Sequence, residues 1–290
     1  LVLIGKRSYK IFIIAPVCIL VLLISSKNTL SDEAIRIISL SKRAEKDYSL
    51  SLNKEKFDSK KTNYLILPEY DRLLNPGFGV PAVAIDYTRK QTVTEMLTNN
   101  SYIAGTQDAY AGEKRYAQNY LVNKDGDYIK LHAKKFLIPG GEYIIEWVAR
   151  LFSTIDPAVV QTFNKSRGRF VVKNEELRGA LKSDENAQLI AIGACSSVLS
   201  PYIFRNDINN GAQLIAINIS FAQFASTPEY KNFAKSFMIF MANAYQRPVA
   251  AGVQDGQALF ISPYNNEGLK QEDIIVADIP YNSHKTLYTK

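Results

Sequence analysis

At 290 residues, with 47% hydrophobic and 22% charged residues, the chain is long and apolar enough to bury a sizeable core, and its composition excludes a disordered polymer. Lys and Arg number 35 against 28 Asp and Glu, a net charge of +7 that suits an anionic membrane surface. The basic residues are scattered or mixed with acids, as in Lys54-Glu-Lys-Phe-Asp-Ser-Lys-Lys61, so no nucleic-acid partner is expected.

In chain order, a short apolar opening is followed by a basic cluster of Lys6, Arg7 and Lys10, then by a nearly unbroken apolar run from Ile11 to Ile24. Residues 1–27 are therefore expected to hold membrane segments, ending in a transmembrane helix; a signal-peptide core of the same length is the alternative. The positive cluster would face the cytoplasm and place residues 28–290 on the outer, periplasmic or extracellular, face of the cell membrane. There is no initiator methionine, and the sequence is expected to be a fragment.

Beyond the polar stretch 28–33, Ala34 to Leu40 reads as a buried strand, and the charged residues up to Lys61 read as a helix. Strands follow at Tyr64 to Leu67, Tyr102 to Thr106, Tyr116 to Val122 and Tyr128 to Lys130, with a helix near Thr92 to Leu97 and a turn at Asn123 to Asp127. Ile144 to Phe152 is expected to be helical and Phe170 to Lys173 extended. Leu189 to Ile192 and Leu214 to Ile219 are apolar runs of strand length, joined by a helix at Ser200 to Asn209. The longest helical pattern, Glu229 to Tyr245, precedes strands near Val249 to Gln254, Ala258 to Ser262 and Ile274 to Ile279. Strands alternating with helices indicate an α/β domain, with nothing to divide residues 28–290.

Three residues invite covalent acyl chemistry. Glu69 ends the run Asn63-Tyr-Leu-Ile-Leu-Pro-Glu69 and Cys195 ends Gln188-Leu-Ile-Ala-Ile-Gly-Ala-Cys195, positions at which open α/β sheets bind ligands. Lys130 lies in Tyr128-Ile-Lys130-Leu-His132. The other cysteine, Cys18, falls in the apolar run, so Cys195 is a lone thiol, either a small buried hydrophobe or a nucleophile. As a nucleophile it would have its pKa lowered by the Lys130 ammonium and lose its proton to Glu69, while Lys130 and the Ser196 N–H face the oxyanion. Neither His132 nor His284 has a partner at ligand spacing, so no metal is expected. Phe221, Phe224, Tyr230, Phe233, Phe237 and Phe240 could line an acyl-chain entrance, but the last three recur at helical spacing and read as core.

The contexts of these residues resemble the nitrilase, or carbon-nitrogen hydrolase, superfamily, and within it the apolipoprotein N-acyltransferase branch. The resemblance runs from about Ala34 to Lys290 and rests on Pro68-Glu69, Asn119-Tyr-Leu-Val122, Asp125-Gly126, Tyr128-Ile-Lys130 and Leu137-Ile-Pro-Gly-Gly-Glu142-Tyr143. Further matches are Gly211 to Ser220, Arg247-Pro248 and Thr286 to Thr289. It implies an αββα sandwich with a Glu69, Lys130, Cys195 triad, Glu142 as a supporting glutamate, and no cofactor. The implied reaction moves an acyl chain from a phospholipid donor, through a thioester on Cys195, to the N-terminal amine of a lipoprotein acceptor. An amidase or hydrolase of the same superfamily is the alternative; a catalytically dead relative that binds lipid or lipoprotein is another. The sequence departs from the pattern at Ser196 and Ser197, where the family places a glutamate, and an acid restored at position 197 is expected to help orient the lysine.

Overall fold

The computed structural model describes residues 34–41, 56–69, 97–111, 114–137, 142–166, 184–221, 227–263 and 269–280. The expected membrane segments, the strand at 170–173 and most of the helices expected before residue 97 lie outside the described residues; residues 56–61 of the charged stretch form an irregular turn rather than a helix. Among the described residues no helix is long and apolar enough to cross a membrane.

Two sheets carry the chain. In the first, β1 (Ala34–Leu40), β2 (Thr62–Ile66) and β3 (Ser101–Ala111) run parallel, β4 (Lys114–Asn123) and β5 (Tyr128–Ala133) continue antiparallel on one side, and β11 (Ile274–Pro280) closes the other side antiparallel to β1. In the second, β6 (Ile190–Ala194), β7 (Leu214–Ile219) and β8 (Val249–Val253) are parallel, with β9 (Ala258–Ile261) and β10 (Leu269–Glu272) antiparallel beyond them. Every residue of β6, β7 and β8 is buried, as expected of parallel strands covered on both faces.

Strand alternation divides these residues between layers. Ile35, Ile37, Tyr64 and Ile66 of the first sheet pack against Ile190, Ile192, Leu214 and Ala216 of the second, so the main core lies between the sheets. On the outer face of the second sheet, Ile215, Ile217 and Val249 pack against Ala234, Met238, Met241 and Ala242 of the long helix. Ile38, Leu40, Leu65 and Ile103 form the outer face of the first sheet, joined by Phe57 and Leu97.

The helices are α1 (Glu146–Ile155), α2 (Pro157–Ser166), α3 (Arg205–Asn209) and α4 (Pro228–Tyr245). Thr227 caps α4 and Pro228 opens it, while Gln246 ends it at φ +51°. Its buried positions are Ala234, Met238, Met241 and Ala242, with Phe237 partly buried beside them; Phe233 and Phe240, expected as core, fall off this face and are exposed. No residue of α1 is buried, and Trp147, Leu151 and Ile155 share an exposed apolar stripe.

Candidate active site

The carboxyl ends of strands from both sheets meet along one edge. A single parallel bridge joins Ser41, after β1, to Val253 at the end of β8. Just past β2, the Leu67 carbonyl accepts a hydrogen bond from Asn218 Nδ2 of β7, and the same amide donates to the Ala104 carbonyl of β3. Gly252 of β8 lies so close that a Cβ there would stand 2.2 Å from the Leu67 oxygen. These contacts fix the chain two residues before Glu69.

Cys195 follows β6 directly and opens a short 3-10 turn, Cys195–Leu199. Its φ of +42° lies in the left-handed region, which costs a residue with a Cβ about 1–3 kcal/mol. The turn is held by Ser197, whose Oγ accepts from the Ala194 N–H. The thiol points toward the Ser220 carbonyl at 3.7 Å.

Into this space comes Lys134, the residue after β5, with a fully buried side chain. Its Nζ lies 2.8 Å from Glu142 Oε1 and 3.6 Å from Glu69 Oε1. Ser196 Oγ donates its one proton to the Phe136 carbonyl at 2.7 Å and shares it with the other oxygen of Glu142, 3.2 Å away. Glu69, Lys134, Glu142 and Cys195 are each at most 1% exposed.

Lys130 is not part of this group. Its Nζ donates to the Ile190 carbonyl at 2.8 Å and pairs with Asp207 at 3.1 Å. Ile190 begins β6 whereas Cys195 follows its end, so the two ends are separated by roughly 15 Å of extended chain. Lys130 ties the edge strands β5 and β6 together; burial lowers its pKa and Asp207 offsets part of that. The expectation of a Glu69, Lys130, Cys195 cluster is therefore corrected at the lysine. Lys130, His132 and Lys134 alternate along one strand direction, and the signal that separates them is proximity to the Glu142 loop.

The electrostatics also differ from the sequence expectation. Burial, followed by the Glu69 carboxylate, pushes the Cys195 thiol up to about 12; the Lys134 ammonium pulls it back, and Glu142 adds to the rise. One cation does not overcome desolvation and two carboxylates, so the resting thiol is protonated at neutral pH. For Lys134, burial works against the charged form, but Glu69 and the other anionic groups around it more than offset this, and its pKa is raised. The lysine is a fixed ammonium. Among the described residues, no group of three or more His, Cys, Asp or Glu could hold a metal ion.

Tyr230, expected among aromatics lining an entrance, packs edge-on against Phe221 at 5.8 Å and against the apolar cluster that contains Cys195. Its place in the first turn of α4 gave no sign of this, since the contact depends on how the helix sits over the turn.

Solved structures of an amidase from Nesterenkonia sp. AN1, of the nitrilase superfamily, share this fold. A variant with cysteine replaced by alanine has a TM-score of 0.53 at 12% identity, covering 86% of this chain and 90% of that one. A glutamate-to-glutamine variant, carrying the acetamide moiety of fluoroacetamide covalently on its active-site cysteine, gives 0.53 at 12%, with 87% and 92% covered. The alanine variant in complex with butyramide gives 0.52 at 12%, with 86% and 91% covered. The mixed α/β architecture is thus that of nitrilase-superfamily amidases. No family model and no curated protein matches the sequence.

Proposed function

We propose that this chain catalyses cysteine-dependent acyl chemistry at a carbon-nitrogen bond, as an amidase or hydrolase of the nitrilase type. The observation that carries the reading is the buried Lys134, held between Glu69 and Glu142 beside a thiol on a strained turn. Because the resting thiol is protonated, Glu69 takes the proton as the sulfur attacks the carbonyl carbon, rather than before. The carbonyl oxygen becomes an anion facing the Lys134 ammonium and the Ser196 N–H. Collapse breaks the carbon-nitrogen bond, Glu69 returns the proton to the departing amine, and a thioester remains on Cys195. Water, deprotonated by Glu69, then attacks the thioester, and the acid and the free thiol are released. Glu142 keeps Lys134 charged and oriented throughout.

The same thioester could be made from a phospholipid acyl chain and passed to the N-terminal amine of a lipoprotein. The exposed apolar stripe of α1 favours this second reading, as does the apolar run before residue 28, which would anchor the domain on the outer face of a membrane. Incubating the purified protein with short aliphatic amides or with phospholipid vesicles, then weighing the Cys195 peptide, separates the two. A short acyl adduct supports the amidase and a fatty acyl adduct the transferase. No adduct from either donor would refute both.

A further inference from the structure

The loop of residues 254–257, between β8 and β9, brings one more carboxylate to the edge where the strand ends meet. Two bonds tie it to the end of β7: the Gln254 N–H donates to the Ile219 carbonyl at 2.9 Å, and Ser220 Oγ donates to Asp255 Oδ2 at 3.2 Å. Ser220 is also the residue whose carbonyl accepts from the Cys195 thiol, so Asp255 stands one residue's span from the sulfur. Unlike Glu69 and Glu142 it is only half-buried, and so meets solvent. Among the described residues no cation pairs with it; the Lys231 ammonium lies over the Phe221 ring, 5.8 Å from its centroid, rather than on Asp255. Three carboxylates therefore stand near the thiol with one ammonium, and that ammonium, on Lys134, is already held by Glu69 and Glu142. An approaching anion meets net negative charge and a cation is drawn to it, most strongly where water is partly excluded. We propose that Asp255 sets the charge of what reaches Cys195, receiving an ammonium group and turning a carboxylate away. The substrate class that follows is a small amide bearing a cationic amine. That class rests on the amidase reading, whereas the action of Asp255 on charge rests only on Cys195 reacting.

The thiol is first probed with reagents that need no catalysis. Rates of Cys195 modification by methyl, aminoethyl and sulfonatoethyl methanethiosulfonate, which are neutral, cationic and anionic, are read by peptide mass in the parent, Asp255→Asn and Asp255→Glu, with folding checked by circular dichroism. Taken as ratios between reagents, the rates are free of any general change in thiol reactivity. In the parent the cationic reagent should react at least about tenfold faster than the anionic one, the scale of one hydrogen bond to a charged group. The ratio should fall by about tenfold in Asp255→Asn, persist in Asp255→Glu, and shrink in the parent at high salt. The same ratios are then measured for acylation by β-alaninamide, butyramide and succinamate. The expected order is cationic, neutral, anionic, with the spread reduced in Asp255→Asn. Equal ratios in the parent and Asp255→Asn, in either series, would overturn the inference. Modification by none of the three reagents would also overturn it, since nothing then passes Asp255 to the sulfur. Charge-dependent modification without an adduct from any amide would leave the action of Asp255 standing and remove the proposed reaction, with its substrate class, instead.

Discussion

Lys130 and Lys134 show how far a local motif can be read at the scale of one residue. The Tyr-x-Lys pattern pointed to Lys130, and alternation places both lysines on one side of the strand, so the pattern cannot choose between them. Depth does: Lys134 has a fully buried side chain between two carboxylates, whereas Lys130 is 14% exposed beside Asp207. Lys134→Met should slow acyl-enzyme formation by about 100-fold or more. It should also cost about 3–5 kcal/mol, because Glu69 and Glu142 would lose their buried counter-ion. Lys130→Met should leave acylation within about tenfold of the parent while lowering the melting temperature through the lost bond to Ile190, about 1–2 kcal/mol. Acyl capture by mass spectrometry and thermal melts of both variants check this.

The serines after the nucleophile have partners of their own. Ser196 bonds Glu142 and Ser197 bonds the backbone of its own turn, so the lysine draws its carboxylates from Glu69 and Glu142 and lacks nothing at position 197. The Ser197 Cβ lies 3.0 Å from where a Cβ on Gly193 would be, and the residue is 1% exposed. Ser197→Glu should therefore destabilise the protein by at least about 2 kcal/mol, through overpacking and a buried charge, and should not raise activity. Denaturant melts with a parallel activity assay decide it; a more active variant would contradict this placement.

At the scale of elements, the apolar runs of β6, β7 and β8 were legible because strands buried on both faces need no alternation to be recognised. Edge strand β10, Leu-Lys-Gln-Glu, is wholly exposed and carries no such signal, and α2 was missed because most of its described residues are exposed and give it no buried face to read. What positions Glu69 was not legible either, since it depends on β8 passing under the end of β2. Gly252→Ala would drive a Cβ into the Leu67 carbonyl, and backbone cannot yield as a flexible side chain would. We expect a loss of about 1–3 kcal/mol in stability. Acylation should fall by about 100-fold as Glu69 shifts. Asn218→Ala, which removes the side-chain donor to the Leu67 carbonyl and leaves the Ala104 carbonyl with the Leu67 N–H alone among these donors, should act in the same direction. Stability and acylation rate measured together would show whether the shift reaches the site.

Among the described residues two sheets pack on an apolar core, with a buried group of charges where their strand ends meet, and the pH response follows from that burial. The unfolded chain releases the Cys195 proton near the ordinary thiol value of about 8.5, whereas the folded protein holds it up to about 12. Between those values the folded state binds the extra proton, so stability falls as pH rises through that window, and Cys195→Ala should flatten this part of the curve. At the acid end, hydrogen bonds from Arg36, offset in part by burial, and those from Lys61 lower Asp278 to about 2. Its contribution is present above the unfolded carboxylate value and is lost as pH falls through about 2. Urea midpoints across pH in the parent and the alanine variant test both limbs.

The most direct measurement is the mass of the Cys195 peptide after brief reaction with a short aliphatic amide, in the parent, Cys195→Ala, Lys134→Met and Lys130→Met. The account predicts an acyl adduct on Cys195 in the parent and in Lys130→Met, and none in Cys195→Ala or Lys134→Met. An adduct that survives in Lys134→Met but disappears in Lys130→Met, or one that persists without Cys195, would contradict it.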